Sequence, residues 1–164
     1  MTVAELNALD RGPFVQALGW IFEESPWVAE RAWDARPFAD LDALHQQMTT
    51  VVARAKQEEQ MALLRAHPDL GARARMTDAS VGEQAGAGLD RLTPDDFDRL
   101  QRLNSAYRAK FGFPFLYAVK GSTPQQILDA LEQRQGHEPD DEFAEALRQV
   151  GQIARFRLET FVAG

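Results

Sequence analysis

The chain has 164 residues, a net charge of −7 and no cysteine, so it can bury roughly two thirds of its unfolded surface without staples. The missing thiols exclude a disulfide framework, a thiolate metal centre and a cysteine nucleophile. Acidic and basic residues are interspersed, which argues against nucleic acid as a partner because a phosphate backbone needs a concentrated positive face.

The opening MTVAELNALDRG lacks a basic stretch followed by an apolar run, and no apolar stretch approaches the ~20 residues that cross a bilayer. The expectation is a chain without membrane association, working in the cytoplasm. Thr2 and Glu5 have capping-box spacing, and Pro13 opens a segment in which Phe14, Leu18, Ile21 and Phe22 recur at helical intervals. Residues 40 to 66 carry the same pattern through Leu41, Leu44, Met48, Val51, Val52, Met61 and Leu64. These are buried helix faces.

The run LLRAHPDLG, residues 63 to 71, breaks that pattern. Proline disfavours helical geometry in the residue before it, so His67 is predicted where the helix stops. Of the three histidines, His45 lies in a helical pattern and His137 in a polar turn, and both are read as surface residues. A histidine titrating near neutrality and held by an X-Pro junction suits acid-base work. The competing reading is a helix-end histidine bonded to the last carbonyls. Arg65, Arg73 and Arg75 flank it, either as a solvated loop or as charges that favour an anionic small molecule.

Next comes SVGEQAGAG, residues 80 to 88. Ser80 and Glu83 fit a helix-starting capping box, while Gly86 and Gly88 each cost a helix about 1 kcal/mol and suggest close packing against this backbone. Alternatively, Ser80, Glu83 and Gln84 bring a hydroxyl, a carboxylate and an amide to one region beside a helix start that presents amide donors. Such a set suits a ligand crowded with ureido and carboxylate groups.

Thr93 before Pro94 starts a helix whose stripe runs through Phe97, Leu100, Leu103 and Tyr107 to a stop near Phe111 and Gly112. KFGFPFLYAVKG, residues 110 to 121, follows. Its aromatics read as core, or its Gly-Phe-Pro-Phe turn leaves the amides and carbonyls from Phe115 to Val119 needing partners that a polar heterocycle supplies. Within it FPFLYAV has strand-like apolarity, but one strand makes no sheet. Thr123 and Pro124 open another helix with Gly136 as its stop, and the last helical segment runs from Pro139 to Leu158. No linker or repeat divides the chain, so the predicted fold is all-α, a single-domain helical bundle over residues 1–164 with one irregular apolar segment near residues 111–121.

Metal ligation fits poorly, since no HxxxH or HxH pair occurs. No nucleophile elbow surrounds Ser25, Ser80, Ser105 or Ser122, and no phosphate-cradling glycine motif is present. An acid-base site without cofactor remains.

Taken in order, RAHPDLG, SVGEQAGAGLDRLT and LNSAYRAKFGFPFLYAVKG resemble the 2-oxo-4-hydroxy-4-carboxy-5-ureidoimidazoline (OHCU) decarboxylase family, and EALRQVGQIARFRLETF is similar to that family's last helix. The resemblance implies an all-helical, cofactor-free homodimeric enzyme of urate breakdown that forms (S)-allantoin. It implies His67 as the catalytic acid-base residue and Glu83 as its companion. Pro68, Ser80, Gln84 and the run Phe115, Leu116, Tyr117, Ala118 and Val119 would line the substrate pocket. The chain departs from the family in GARAR after Leu70, and it ends ETFVAG without a peroxisomal address. The rival reading is a non-catalytic helical domain that binds a ureide or a protein; it gains if His67 or Glu83 is replaced or buried. A further variant is a family enzyme with a shifted substrate, for which Tyr117 and the GARAR loop are the features to inspect.

Overall fold

Threonine caps set three of the helix starts. Thr2 accepts from the Glu5 N–H at 3.1 Å while the Glu5 carboxylate accepts from the Thr2 N–H at 2.9 Å. Thr93 and Thr123 repeat the device, each accepting at 3.2 Å from the amide three residues on, with proline in the first turn. Each such cap contributes ~1 kcal/mol.

The computed structural model describes residues 1–71 and 78–163. Among these residues are nine α-helices: α1 (Val3–Asn7), α2 (Arg11–Leu18), α3 (Trp27–Ala32), α4 (Leu41–Arg54), α5 (Gln57–Ala66), α6 (Asp78–Gly86), α7 (Pro94–Phe111), α8 (Pro124–Arg134) and α9 (Pro139–Phe161). A 3-10 turn, Trp33–Ala35, follows α3. The fold is all-α; the one β feature among the described residues is an isolated parallel bridge between Thr2 and Ala163. No helix is long and apolar enough to cross a membrane among the described residues.

The structure sharpens one sequence expectation and agrees with another. The pattern over residues 40 to 66 is two helices, because the chain turns extended at Ala55 before α5 begins at Gln57. FPFLYAV forms no strand: it runs without regular structure between α7 and α8, where Gly112 ends α7 with φ 81°. A left-handed residue there is what releases the chain from the helix.

The chain contacts gather into two compact units. The first comprises Met1–Ala66 with Gly151–Gly164, the second His67–Val150, so the division falls inside α9. In the first unit Phe14, Leu18, Leu44 and Met48 are fully buried, and α3 packs on α4. His45 is not a surface residue there: it is half-buried, and its Nε2 lies 2.8 Å from the Gly151 carbonyl. In the second unit α7 packs on α8, with Leu100, Tyr107, Ile127, Leu128 and Leu131 buried.

Candidate functional site

α5 ends at Ala66, one residue before His67, as the His-Pro junction requires. His67 then stands in a bend and is 6% exposed. Three of the four residues after it are tied down by long-range contacts. The Gly71 N–H donates to Gln84 Oε1 at 2.8 Å, Asn104 Nδ2 donates to the Leu70 carbonyl at 2.9 Å, and Arg108 pairs with Asp69 at 3.0 Å. Gly71 has φ 75°, and a Cβ there would come within 2.6 Å of Leu100 Cδ2. The glycine of HPDLG is therefore required twice, by backbone angle and by packing.

α6 carries Ser80, Glu83 and Gln84 at three- and four-residue spacing, which places all of them on one helix face. Ser80 and Gln84 are buried and Glu83 half-buried. Through the Gln84–Gly71 bond this face is fastened to the loop that begins with His67. Ser80 is not a cap: α6 begins at Asp78, so the S-x-x-E spacing marks neighbours inside a helix. Nor does any described atom crowd Gly86, where an added Cβ would meet nothing within 4 Å. Gly88 does serve packing, with φ 82° and Pro124 Cγ at 3.3 Å from its would-be Cβ. Arg73, Arg75 and the rest of GARAR after Gly71 lie outside the described residues.

The third segment is built on aromatic packing. Tyr107 of α7 sits 4.6 Å from the Phe111 ring, 5.9 Å from Phe113 and 5.4 Å from Phe115, centroid to centroid, and Phe115 stacks on Tyr117 at 5.8 Å. Phe115, Leu116 and Val119 are buried, Tyr117 and Ala118 half-buried. Several backbone groups expected to await a ligand have protein partners instead. The Leu116 carbonyl accepts from Arg134 Nη1 at 2.6 Å, the Ala118 N–H donates to Gln149 Oε1 at 3.0 Å, and the Val119 carbonyl accepts from the Ser122 N–H at 3.0 Å.

Beneath this segment lies a buried polar cluster. Glu142, fully buried, accepts from Arg134 Nε at 2.7 Å and from the Tyr107 hydroxyl, and faces His137 Nδ1 at 3.0 Å. Burial first, and then the bond to the Glu142 carboxylate, pushes the Tyr107 phenol well above its ordinary value. His137 is exposed as expected, yet it is tied to this carboxylate.

Asn104, Arg134, Glu142 and Gln149 escaped the sequence reading. Asn104 and Arg134 had a signal: each is a polar residue on an apolar stripe, four residues after Leu100 and seven after Ile127. Asn104 Oδ1 is buried and has no hydrogen-bond partner among the described residues. Glu142 is one of several acidic residues at the start of α9, and nothing local distinguishes it. Among the described residues no group of three His, Cys, Asp or Glu is placed to hold a metal ion.

A buried histidine released from a helix end, in a loop fastened by an amide bond to a helix carrying serine, glutamate and glutamine on one face, is the arrangement these all-helical elements build. The chain belongs to the OHCU decarboxylase family, whose model matches residues 7–159. It is 51% identical over 159 residues to the 2-oxo-4-hydroxy-4-carboxy-5-ureidoimidazoline decarboxylase of Halalkalicoccus jeotgali, covering 97% of this chain and 90% of that protein. Its identity to the Haloferax volcanii protein of the same name is 50% over 158 residues, covering 96% and 94%. Among solved structures it is similar to (S)-allantoin synthase, with TM-score 0.80 and 32% identity over 99% of this chain and 54% of that one.

Proposed function

We propose that this chain decarboxylates 2-oxo-4-hydroxy-4-carboxy-5-ureidoimidazoline to (S)-allantoin in urate degradation, with His67 and Glu83 as its catalytic pair. The observation that carries the reading is His67, held at the His-Pro junction by a loop tied to the Ser80–Glu83–Gln84 face, in a chain half identical to named decarboxylases. The substrate carboxylate is attached to the carbon next to the ring C=N. When that C–C bond breaks, its electron pair forms a C=C bond, the imine electrons move to nitrogen, and carbon dioxide leaves. The substrate is its own electron sink, so the protein need only orient it, move protons and choose a face.

Loss of carbon dioxide leaves an enol. His67 takes the proton of that hydroxyl or delivers one to the carbon bearing the ureido group, and the face of delivery sets the S configuration. Glu83 accepts hydrogen bonds from the ureido or ring N–H groups. Pro68, Ser80, Gln84 and Phe115 to Val119 line the pocket. The chain acts as one functional domain, a homodimer in the cytoplasm; the resemblance to the family supports the dimer, and light scattering on eluted protein tests it.

Burial of His67 at 6% exposure favours the rival, a domain that binds without turning over. Against it stands identity of about half to proteins carrying the decarboxylase name, and exclusion of water strengthens the electrostatic interactions of a group inside a site. Circular dichroism during urate conversion, with urate oxidase and hydroxyisourate hydrolase added, decides. A rapid (S)-allantoin signal is expected, falling by about 10²–10⁴ in rate with His67→Ala. No signal from the intact chain would reject the decarboxylase.

A further inference from the structure

Two side chains hold successive peptide planes of the apolar segment. Arg134 Nη1 donates to the Leu116 carbonyl at 2.6 Å, and Gln149 Oε1 accepts from the Ala118 N–H at 3.0 Å. Both peptides that flank Tyr117 are trans. In a trans peptide the carbonyl of one residue and the N–H of the next point in opposite directions. The first clamp therefore turns the Tyr117 N–H away from Arg134, and the second turns the Tyr117 carbonyl away from Gln149.

Neither Tyr117 backbone group has a hydrogen-bond partner among the described residues, whereas its neighbours' Leu116 carbonyl and Ala118 N–H are both taken. One donor and one acceptor on a half-buried residue match the N–H and C=O edge of a cyclic ureide. We infer that Arg134 and Gln149 are positioning residues that orient the Tyr117 N–H and carbonyl toward such an edge of the substrate; this rests on the decarboxylase reading above.

Each clamp is itself fixed. The guanidinium of Arg134 donates through Nε to buried Glu142 at 2.7 Å and lies 4.5 Å from the Phe115 ring centroid, so its planar fork has one orientation. Gln149 donates through Nε2 to Glu145 Oε1 at 3.2 Å. Because a carboxylate only accepts, that bond assigns which end of the Gln149 amide faces Ala118.

Gln149 is half-buried, so Gln149→Leu keeps its bulk and should keep the fold while removing the acceptor. KM and kcat are measured with substrate generated in place from urate, beside Gln149→Glu, which retains an acceptor oxygen, and Arg134→Lys, which keeps the charge but cannot bridge two acceptors in a plane. Loss of one orienting bond should raise KM roughly tenfold in Gln149→Leu with kcat within about twofold and Tm unchanged, since uniform binding is lost. Gln149→Glu should return KM to within about threefold of the parent, and Arg134→Lys should raise it as Gln149→Leu does.

A parent-like KM in Gln149→Leu, or a raised KM that Gln149→Glu does not lower, overturns the positioning role alone. A parent chain without turnover overturns the decarboxylase reading and this role together.

Discussion

Among the described residues, each compact unit buries an arginine–carboxylate pair, and the two pairs do similar work in different settings. In the first unit Arg157 Nη2 meets Glu23 Oε2 at 2.7 Å while its Nη1 reaches the Trp20 and Ile21 carbonyls at 3.2 and 3.3 Å. In the second unit Arg134 pairs with Glu142 and holds the Leu116 carbonyl. Both are nearly inaccessible, with side-chain exposures of 4% and 1% for the first and 8% and 0% for the second. Each arginine fastens an irregular stretch of backbone that no helix or sheet satisfies. In the second unit the carboxylate holds more than its arginine. Glu142 also accepts from Tyr107 and faces exposed His137, so the second pair joins α7, α8 and α9 to the irregular segment that follows Gly112. A buried pair can thus close a turn, or it can shape a site.

The largest expected effect comes from removing one partner. Arg157→Met and Arg134→Met each strand a buried carboxylate and should cost ~3–5 kcal/mol in urea unfolding. Removing both partners separates the cases: Arg157→Met with Glu23→Met should recover much of that loss, because apolar replacement of a buried pair is often neutral. Arg134→Met with Glu142→Met should recover less, since both double variants strand carbonyls that the arginine held, and only this one also strips the buried Tyr107 hydroxyl of its partner. Equal recovery in the two units would erase that distinction.

Tyr107→Phe is next. It removes a bond to a buried charge and should cost ~1.5–3 kcal/mol at neutral pH. The folded phenol titrates above its unfolded value, so its contribution is complete below about pH 10 and is lost as pH rises further. The stability gap between parent and Tyr107→Phe should therefore narrow from about pH 10 to about pH 11.5 in thermal unfolding. A constant gap would show that Glu142 does not depend on the phenol.

The smallest effect belongs to an exposed pair of the first unit. The bond to Arg31 is the first cause holding the Glu59 carboxyl below its ordinary value. A lowered folded value gives stability that is present above the unfolded value and is lost as pH falls through the folded one. Arg31→Ala should therefore leave acid unfolding slightly less steep between about pH 6 and about pH 3. Exposed pairs are screened, so an effect rivalling that of Arg157→Met would undo the contrast between buried and exposed arginines.

How far the sequence could be read follows from where each signal resides. The capped starts of α1, α7 and α8 and the stop of α5 before His67-Pro68 were legible, because caps and proline act within about four residues. The Ser80 cap misled because S-x-x-E is also the spacing of neighbours on one helix face, and nothing local tells a helix start from its interior. His45 misled because its acceptor, Gly151, lies 106 residues away.

By itself the sequence determined the all-α class, several helix boundaries and the family, since these depend on periodicity, local capping and motif order. Tertiary structure alone decided which polar residues became internal partners: Gln84 for Gly71, Asn104 for Leu70, Gln149 for Ala118, Arg134 for Leu116 and Glu142. These bonds join residues that are distant along the chain or on different elements. Their strength comes from burial, and burial exists only once the helices have packed.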